Sequence, residues 1–470
     1  MASIEPLLRD PSRELIERIY EAQQRARARI GQAGARERIA KIRRLHDAVL
    51  AHRDDIRAAL WADYRKPPQE VDLSEILPVV QEARFAARHL KSWMKPRRVP
   101  TPLALLGSRS RIAYEPKGVV LIISPWNFPF NLTLGPLISA VAAGNCVVLK
   151  PSEMTPNASA CMKRILAEVF DEDEVAMVEG DASVAEALLR KKWDHIFFTG
   201  SPRVGQLVMK AAAEHLTPVT LELGGKSPAI IDRTADLDEA ARKIAWGKAF
   251  NSGQICIAPD YLLVDESIRA PFVEKLRSAI ENVSGEGSRG WLVNANHAGR
   301  IKHLFDEAVK HGANVVAGGH FKERDMPPTI LEGAPESSHV MQQEIFGPLL
   351  PMTTYRDLDE ALQTIAGREK PLVLYLFSRA REVKERVLRE TSAGGTVIND
   401  TLIHFYQLNL PFGGIGQSGM GKAHGKFGFE AFSNARGILE QPLKFSGIQL
   451  MYPPYTKWKQ KLIDFTVRWL

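Results

Sequence analysis

The run GVVLIIS, residues 118–124, is apolar and rich in β-branched side chains, with no polar residue until its last position. A strand with one wet face alternates apolar and polar side chains, whereas a run of this kind suits a strand buried on both faces. Helical spacing follows across 133–143, and then a second apolar run, NCVVLK (145–150). The alternation continues through a helix at about 156–170, VAMVEG, a helix near 182–190, HIFFTG (195–200), a helix from Pro202 to about His215, and PVTLELGG (218–225). Strand, helix, strand, repeated, requires a parallel sheet covered by helices, and a doubly wound, Rossmann-like nucleotide-binding domain is the expected architecture.

SPAIID, YLLVD, ANVVAGG and PLVLYLFS, separated by helix-like stretches between about 226 and 430, predict a second α/β domain. Residues 12–92 read as helical with a break at Pro67 and Pro68, and LALLGSRSRIAYEP (103–116) reads as a strand pair turning near Gly107 and Ser108. The expected organisation is residues 1–221 as N-terminal helices and the first α/β domain, with 99–117 as a bridging hairpin. Residues 222–409 are expected to form the second domain, and 410–470 to return to the first, adding an oligomerisation strand and a C-terminal amphipathic tail.

At 470 residues the chain exceeds one simple core, and 45% hydrophobic with 25% charged residues excludes a disordered chain. Its three cysteines, at 146, 161 and 256, cannot make a disulfide framework and show no metal-ligand spacing. A reducing compartment and no metal are expected. MASIEPLLRDPSREL lacks the apolar run of a signal peptide, and the longest apolar stretches fall far short of a membrane span, so a cytoplasmic protein is expected. The net charge of +7 concentrates in RARARIGQAGARERIAKIRR (25–44) and near the C-terminus. With no aromatic stacking motif beside it, the first stretch reads as a solvated helix face and not as a nucleic-acid groove.

Several short motifs fall at strand ends, where open parallel sheets bind ligands. FTGSPRVG (198–205) ends a strand and opens a helix; Gly200 permits a tight turn, Gly205 lets the helix pack closely, and the free N–H groups suit a phosphate or serve a plain β–α turn. LKPSE (149–153) sets Lys150 and Glu153 at another strand end, to bind ribose hydroxyls or simply to reach solvent. In SPWNFPF (124–130) two prolines bracket Asn127, whose amide could donate to a developing oxyanion or serve turn chemistry. ELGGKSP (222–228) puts Glu222 before two glycines, as a water-activating carboxylate or a paired one. NSGQICIAP (251–259) places Cys256 after four small or polar residues, which argues for a loop lining a cleft and for a nucleophile over a buried apolar cysteine. QEIFGP (343–348) adds Glu344 beside Phe346.

In this order and at these separations, SPWNFP, LKPSE, FTGSPRVG, ELGGKSP, NSGQICIAP and QEIFGPLLP resemble the aldehyde dehydrogenase superfamily, from about residue 80 to 440. The ending LPFGGIGQSGMGKAHGKFGFEAFS (410–433) is similar to its class 3 branch, which includes fatty-aldehyde and coniferyl-aldehyde enzymes. The resemblance implies Cys256 as nucleophile, Asn127 and the Cys256 N–H as oxyanion donors, and Glu222 as the base that hydrolyses a thioester to the free acid. It implies NAD, with NADP tolerated, held by Lys150 and Glu153 at the adenosine ribose. Gly200, Ser201 and Gly205 would lie at the pyrophosphate, and Glu344, Phe346 and Trp126 near the nicotinamide. The Glu153 carboxylate repels a 2′-phosphate and favours NAD. The first domain is then the cofactor domain, the second the catalytic one, and a homodimer is expected.

Position 255 is Ile where the family commonly has Thr. With Phe128 and Trp246 it suggests an apolar, aromatic or medium- to long-chain aldehyde, although all three also suit ordinary core packing. The rival reading is a cofactor-independent cysteine hydrolase, which needs a histidine base; none of the twelve histidines sits in a comparable motif. In the tail YPPYTKWKQKLIDFTVRWL (452–470), Trp458, Leu462, Phe465 and Trp469 recur at helical spacing among lysines and an arginine. Such a helix is expected to dock on protein, its own surface or a dimer partner, in preference to a lipid surface.

Overall fold

A computed structural model describes residues 11–285, 287, 289–444 and 446–469. Its strands form three sheets. The first comprises β1 (Arg97–Val99), β2 (Arg109–Pro116) and β16 (Ser433–Glu440). The second takes β3 (Val119–Ile123), β4 (Cys146–Lys150), β5 (Val175–Met177), β6 (His195–Gly200), β7 (Val219–Leu223) and β15 (Gly419–Met420). The third takes β8 (Pro228–Ile231), β9 (Tyr261–Asp265), β10 (Asn314–Ala317), β11 (Thr329–Glu332), β12 (Leu349–Tyr355), β13 (Val373–Phe377) and β14 (Gly395–Ile398).

The second sheet runs β15-β7-β6-β3-β4-β5, parallel except where β15 pairs antiparallel with β7. Every residue of β3 and β4 is buried, as strands covered on both faces require. Strand order reverses at β3, which pairs with both β4 and β6. The crevice at the carboxyl ends of β3 and β6 is therefore the topological switch point where such sheets bind ligands. SPWNFPF leaves β3 there, and Gly200 and Ser201 end β6 there. The third sheet runs β10-β11-β12-β9-β8-β13-β14, parallel apart from β10 on β11.

Two expectations are corrected, and three strands are added. The strand pair around Gly107 exists, but its first strand is β1, with Val99 opposite Ser110, and Leu103–Leu105 is a short 3-10 turn. Pro100 and Pro102 lack the N–H a ladder needs, so the strand stops before them. Strands β11, β12 and β14 carried no clear sequence signal: two have only four residues and the third contains Pro351. The basic face at 25–44 is not uniformly solvated. Arg38 is 5% exposed and donates to the carbonyls of Ala33 (2.9 Å), Ala142 (3.0 Å) and Gly31 (2.8 Å).

The tail is a helix, Lys457–Trp469, with no buried residue; Trp458, Phe465 and Trp469 are exposed. It contacts the turn Gly447–Met451, and Leu462 and Ile463 are half-buried. No described helix is long and apolar enough to cross a membrane, and no metal-binding cluster occurs among the described residues.

Candidate active site

Asn127 follows β3 and is 2% exposed. Its side-chain amide donates to the Gln254 carbonyl (3.0 Å). Its own carbonyl accepts from the Tyr64 hydroxyl (3.0 Å) and the Asn251 side-chain amide (3.0 Å). A primary amide has two N–H groups, so Asn127 keeps one donor for a ligand.

The residues ahead of Cys256 are polar yet enclosed: Asn251, Ser252 and Gln254 are each 0% exposed. The loop reaches the cleft only through its cysteine. Most of its polar atoms are satisfied inside the protein instead, the Asn251 side-chain oxygen being the exception. Ser252 donates to the Gly290 carbonyl, the Gln254 amide donates to the Asn251 (3.0 Å) and Trp291 (3.2 Å) carbonyls, and the Val293 N–H donates to Gln254 Oε1 (2.9 Å). Asn251, Ser252 and Gly253 all have positive φ, at 49°, 53° and 69°. A Cβ at Gly253 would collide with the Gly347 carbonyl oxygen. Left-handed backbone of this kind persists only where its surroundings over-determine it. Cys146 and Cys161 are buried, whereas Cys256 is partly exposed. Burial, then the Glu344 and Glu222 carboxylates, push the Cys256 thiol up to about 12. It rests as a thiol, so attack requires a base.

Glu222 lies on β7, 6% exposed, and neither carboxylate oxygen has a partner. Burial pushes its carboxyl well above the usual range, partly offset by Lys422. The room for this side chain comes from Gly413, where a Cβ would stand 2.7 Å from Glu222 Oε1. Glu222 and Cys256 line one cleft together with Trp126, Asn127, Gly200, Ser201, Glu344 and Phe346.

Glu344 is half-buried, but its Oε1 is enclosed and unpartnered, and burial followed by Asp260 raises its carboxyl to about 8. Gly224 faces it so closely that a Cβ would take the carboxylate's place. The Phe346 ring meets Trp126 edge-on at 5.3 Å. Sequence reading missed His297, which lines the same cleft, lies 5.4 Å from the Trp126 ring and hydrogen-bonds through Nε2 to the Phe346 carbonyl (2.8 Å). Burial lowers its imidazole to about 4, so it is a neutral donor. Arg300, also missed, donates to the Glu344 (2.5 Å) and Ile345 (2.7 Å) carbonyls. Lys226 pairs with Asp260, which accepts from the Ile345 N–H (2.9 Å). The 343–346 loop is thus held from three sides.

Lys150, Glu153 and Gly205 do not line this cleft. Lys150 is 3% exposed and bonds Glu153 (3.1 Å) at the end of β4. Gly205 brings its helix against β7, since a Cβ there would stand 2.8 Å from Leu223. Ser201 caps the helix Pro202–Ala213, accepting from the Val204 N–H (3.4 Å). Phe128, Trp246 and Ile255 line a second, apolar cavity with Phe250, Leu402 and Phe405, and Cys256 belongs to both spaces. The thiol stands where a polar cleft meets an apolar pocket.

A sequence model of the aldehyde dehydrogenase family matches residues 8–438. The chain is 41% identical over 437 residues to a probable coniferyl aldehyde dehydrogenase of Pseudomonas aeruginosa, covering 91% of each. It is 40% identical over 447 residues to a dimeric NADP-preferring aldehyde dehydrogenase of Canis lupus familiaris, covering 93% of this chain and 98% of the relative. Its fold matches the substrate-bound state of Staphylococcus aureus AldH with a TM-score of 0.92 and 40% identity, over 96% of this chain and 99% of that one. Fold and site define an α/β oxidoreductase acting on aldehydes. The chain belongs to the aldehyde dehydrogenase family.

Proposed function

We propose that this protein oxidises an apolar aldehyde, aromatic or medium- to long-chain, to the free carboxylic acid with NAD or NADP. One observation carries the reading: Cys256, Asn127 and the unpartnered carboxylate of Glu222 line one cleft, and Cys256 also opens on an apolar pocket. The residues fit a nicotinamide dinucleotide, because Glu344 Oε1 is enclosed without a partner in a cleft that Gly200 and Ser201 also line. Glu344 would hold the nicotinamide ribose, with Phe346, Trp126 and His297 around the ring. The turn at Gly200 and Ser201 would take the pyrophosphate, while Lys150 and Glu153 would take the adenosine ribose. When bound, the cofactor supplies the hydride acceptor that turns a thiohemiacetal into a thioester.

The chain's own part follows from its groups. Cys256 Sγ bonds to the aldehyde carbon, the carbonyl π pair moves to oxygen, and the thiol proton passes by way of the Glu222 carboxylate in the same cleft to solvent. The free Asn127 N–H and the Cys256 N–H receive that oxygen. Glu222, whose burial raises its proton affinity, takes a proton from the water that cleaves the thioester, returning the thiol and releasing acid. The Glu153 carboxylate at the adenosine end supports NAD over NADP, whereas the canine relative is by name NADP-preferring. That relative's name also supports a homodimer here.

The test is a panel of short aliphatic, long-chain and cinnamyl aldehydes, assayed with each cofactor for NADH or NADPH. The expected result is reduction of at least one cofactor with the bulkier aldehydes preferred. No reduction with any aldehyde rejects the reading.

A further inference from the structure

The segment Tyr64–Ile76 contributes no group to the proposed reaction, yet it touches both halves of the site. Lys66 and Glu75 are each 0% exposed and bonded at 2.8 Å. Glu75 Oε2 accepts from the N–H groups of Phe130 and Asn131, both at 3.1 Å. These begin the helix Asn131–Ala143, whose first turn has no intrahelical acceptor for them. The Lys66 ammonium stands 4.3 Å from the ring centroid of Phe128, the residue after Asn127. Tyr64 donates to the Asn127 carbonyl (3.0 Å). On the other side, the Glu70 carboxylate accepts from the Asn251 N–H (3.3 Å), at the start of the left-handed run before Cys256.

A buried ion pair is poor evidence for stability, because desolvation offsets its attraction. Its value is as a fixed point. We infer that Lys66 and Glu75, with Glu70, are positioning residues that set the Asn127 amide against the Cys256 loop. They hold the Phe128 ring and the backbone N–H groups of 130, 131 and 251, leaving the Asn127 amide little freedom between its Gln254 contact and a substrate oxygen. The inference rests on the oxyanion role proposed above for Asn127.

A double-mutant cycle on the full chain tests it, read as kcat with an aldehyde from the panel and as NAD affinity by tryptophan fluorescence. Glu75→Gln keeps the shape and one acceptor oxygen but unbalances Lys66. It should lower kcat by about ten-fold or more, with NAD affinity within about two-fold of the parent. The pair Lys66→Met/Glu75→Gln removes both charges of the ion pair together and should fold with a similar loss of kcat. In an Asn127→Ala background, Glu75→Gln should cost less than about two-fold more, because two residues acting through one group are not additive. Losses that multiply in that background overturn the inference, as does a Lys66→Met/Glu75→Gln protein with the parent's kcat. If Asn127→Ala alone keeps the parent's kcat, the oxyanion role falls first and the positioning role falls with it.

Discussion

The Asn127 amide and the Gln254 carbonyl meet at 3.0 Å, tying the turn after β3 to the loop two residues before Cys256. A side chain that already spends one N–H on holding the nucleophile's loop has its second N–H oriented as a consequence. Asn127→Ala is therefore expected to lower kcat by about 10²–10³-fold, the usual result of removing one oxyanion donor. Steady-state kinetics with NAD affinity measured alongside separates this from lost cofactor binding, which should be unchanged.

Glu222 has a carboxyl raised well above the usual range by burial, so its base form is populated only at higher pH. Hydrolysis of the thioester is expected to speed up as pH rises through a pKa above the ordinary carboxylate value near 4.5. In Glu222→Gln the step should slow by about 10²-fold and lose that rise. Single-turnover measurement of acid release across pH reads both; an unchanged profile removes Glu222 from the step.

Gly413 has φ of 145° and leaves the space that Glu222 Oε1 fills; a Cβ there would stand only 2.7 Å from that oxygen. Gly413→Ala is expected to push the carboxylate aside. The acid-release step should slow about ten-fold or more while the burst of NADH persists, because Cys256 and Asn127 lie elsewhere. Stopped-flow absorbance distinguishes the two phases.

Ile255 is 6% exposed and faces the apolar cavity with Phe128 and Trp246. Ile255→Thr exchanges a buried methylene and methyl for a hydroxyl, a loss of about 1–2 kcal/mol toward an apolar chain. The expected outcome is a fall of about 5–30-fold in kcat/KM for cinnamyl or long-chain aldehydes and little change for acetaldehyde.

Glu82 is 5% exposed, and burial raises its carboxyl to about 7, opposed only by a hydrogen bond from the Gly425 N–H (2.9 Å). A folded-state value above the unfolded one means that the contribution is fully present below about 4.5 and is lost as pH rises through about 7. The raised value corresponds to roughly 3 kcal/mol between those limits. Glu82→Gln, which keeps an acceptor for Gly425, is expected to flatten this part of the stability curve. Urea unfolding at pH 5 and pH 8 measures it: the parent should lose more stability over that interval than the variant.

Glu222 and Asn127, two of the groups proposed to carry chemistry, were legible because each sits where a buried apolar run meets glycine or proline. Such punctuation marks strand ends, and strand ends in a parallel sheet are where ligands bind. Glu222 and Asn127 were found that way, whereas Cys256 stood out as a cysteine after a polar run and Glu344 as a carboxylate beside Phe346 and a Gly-Pro turn. Lys66, Glu70 and Glu75 were not found, since Lys66 stands at the break before Pro67 and the two glutamates lie in helical turns, where charges ordinarily face solvent. Only the distant contacts with residues 128–131 and 251 make them interior. His297 and Arg300 were missed for the same reason, being ordinary helix residues until their helix packs on the 343–346 loop. The polar run 251–254 misled in one respect. Its composition suggested an open loop, whereas tertiary hydrogen bonds enclose it and leave only the thiol in reach.

The pairing of β15 with β7 has a consequence for how the chain is made. Glu222 sits on β7 opposite Gly419, so the strand bearing it has a bare edge until the ribosome has added Gly419 and Met420. β2 likewise waits for β16, from residue 433 onward. A domain that folds as its chain emerges would here hold two open sheet edges throughout synthesis of the whole seven-stranded sheet. A chain halted after β14 carries Cys256 but leaves the edges of β7 and β2 without the partners β15 and β16 give them, the kind of edge that invites pairing between chains.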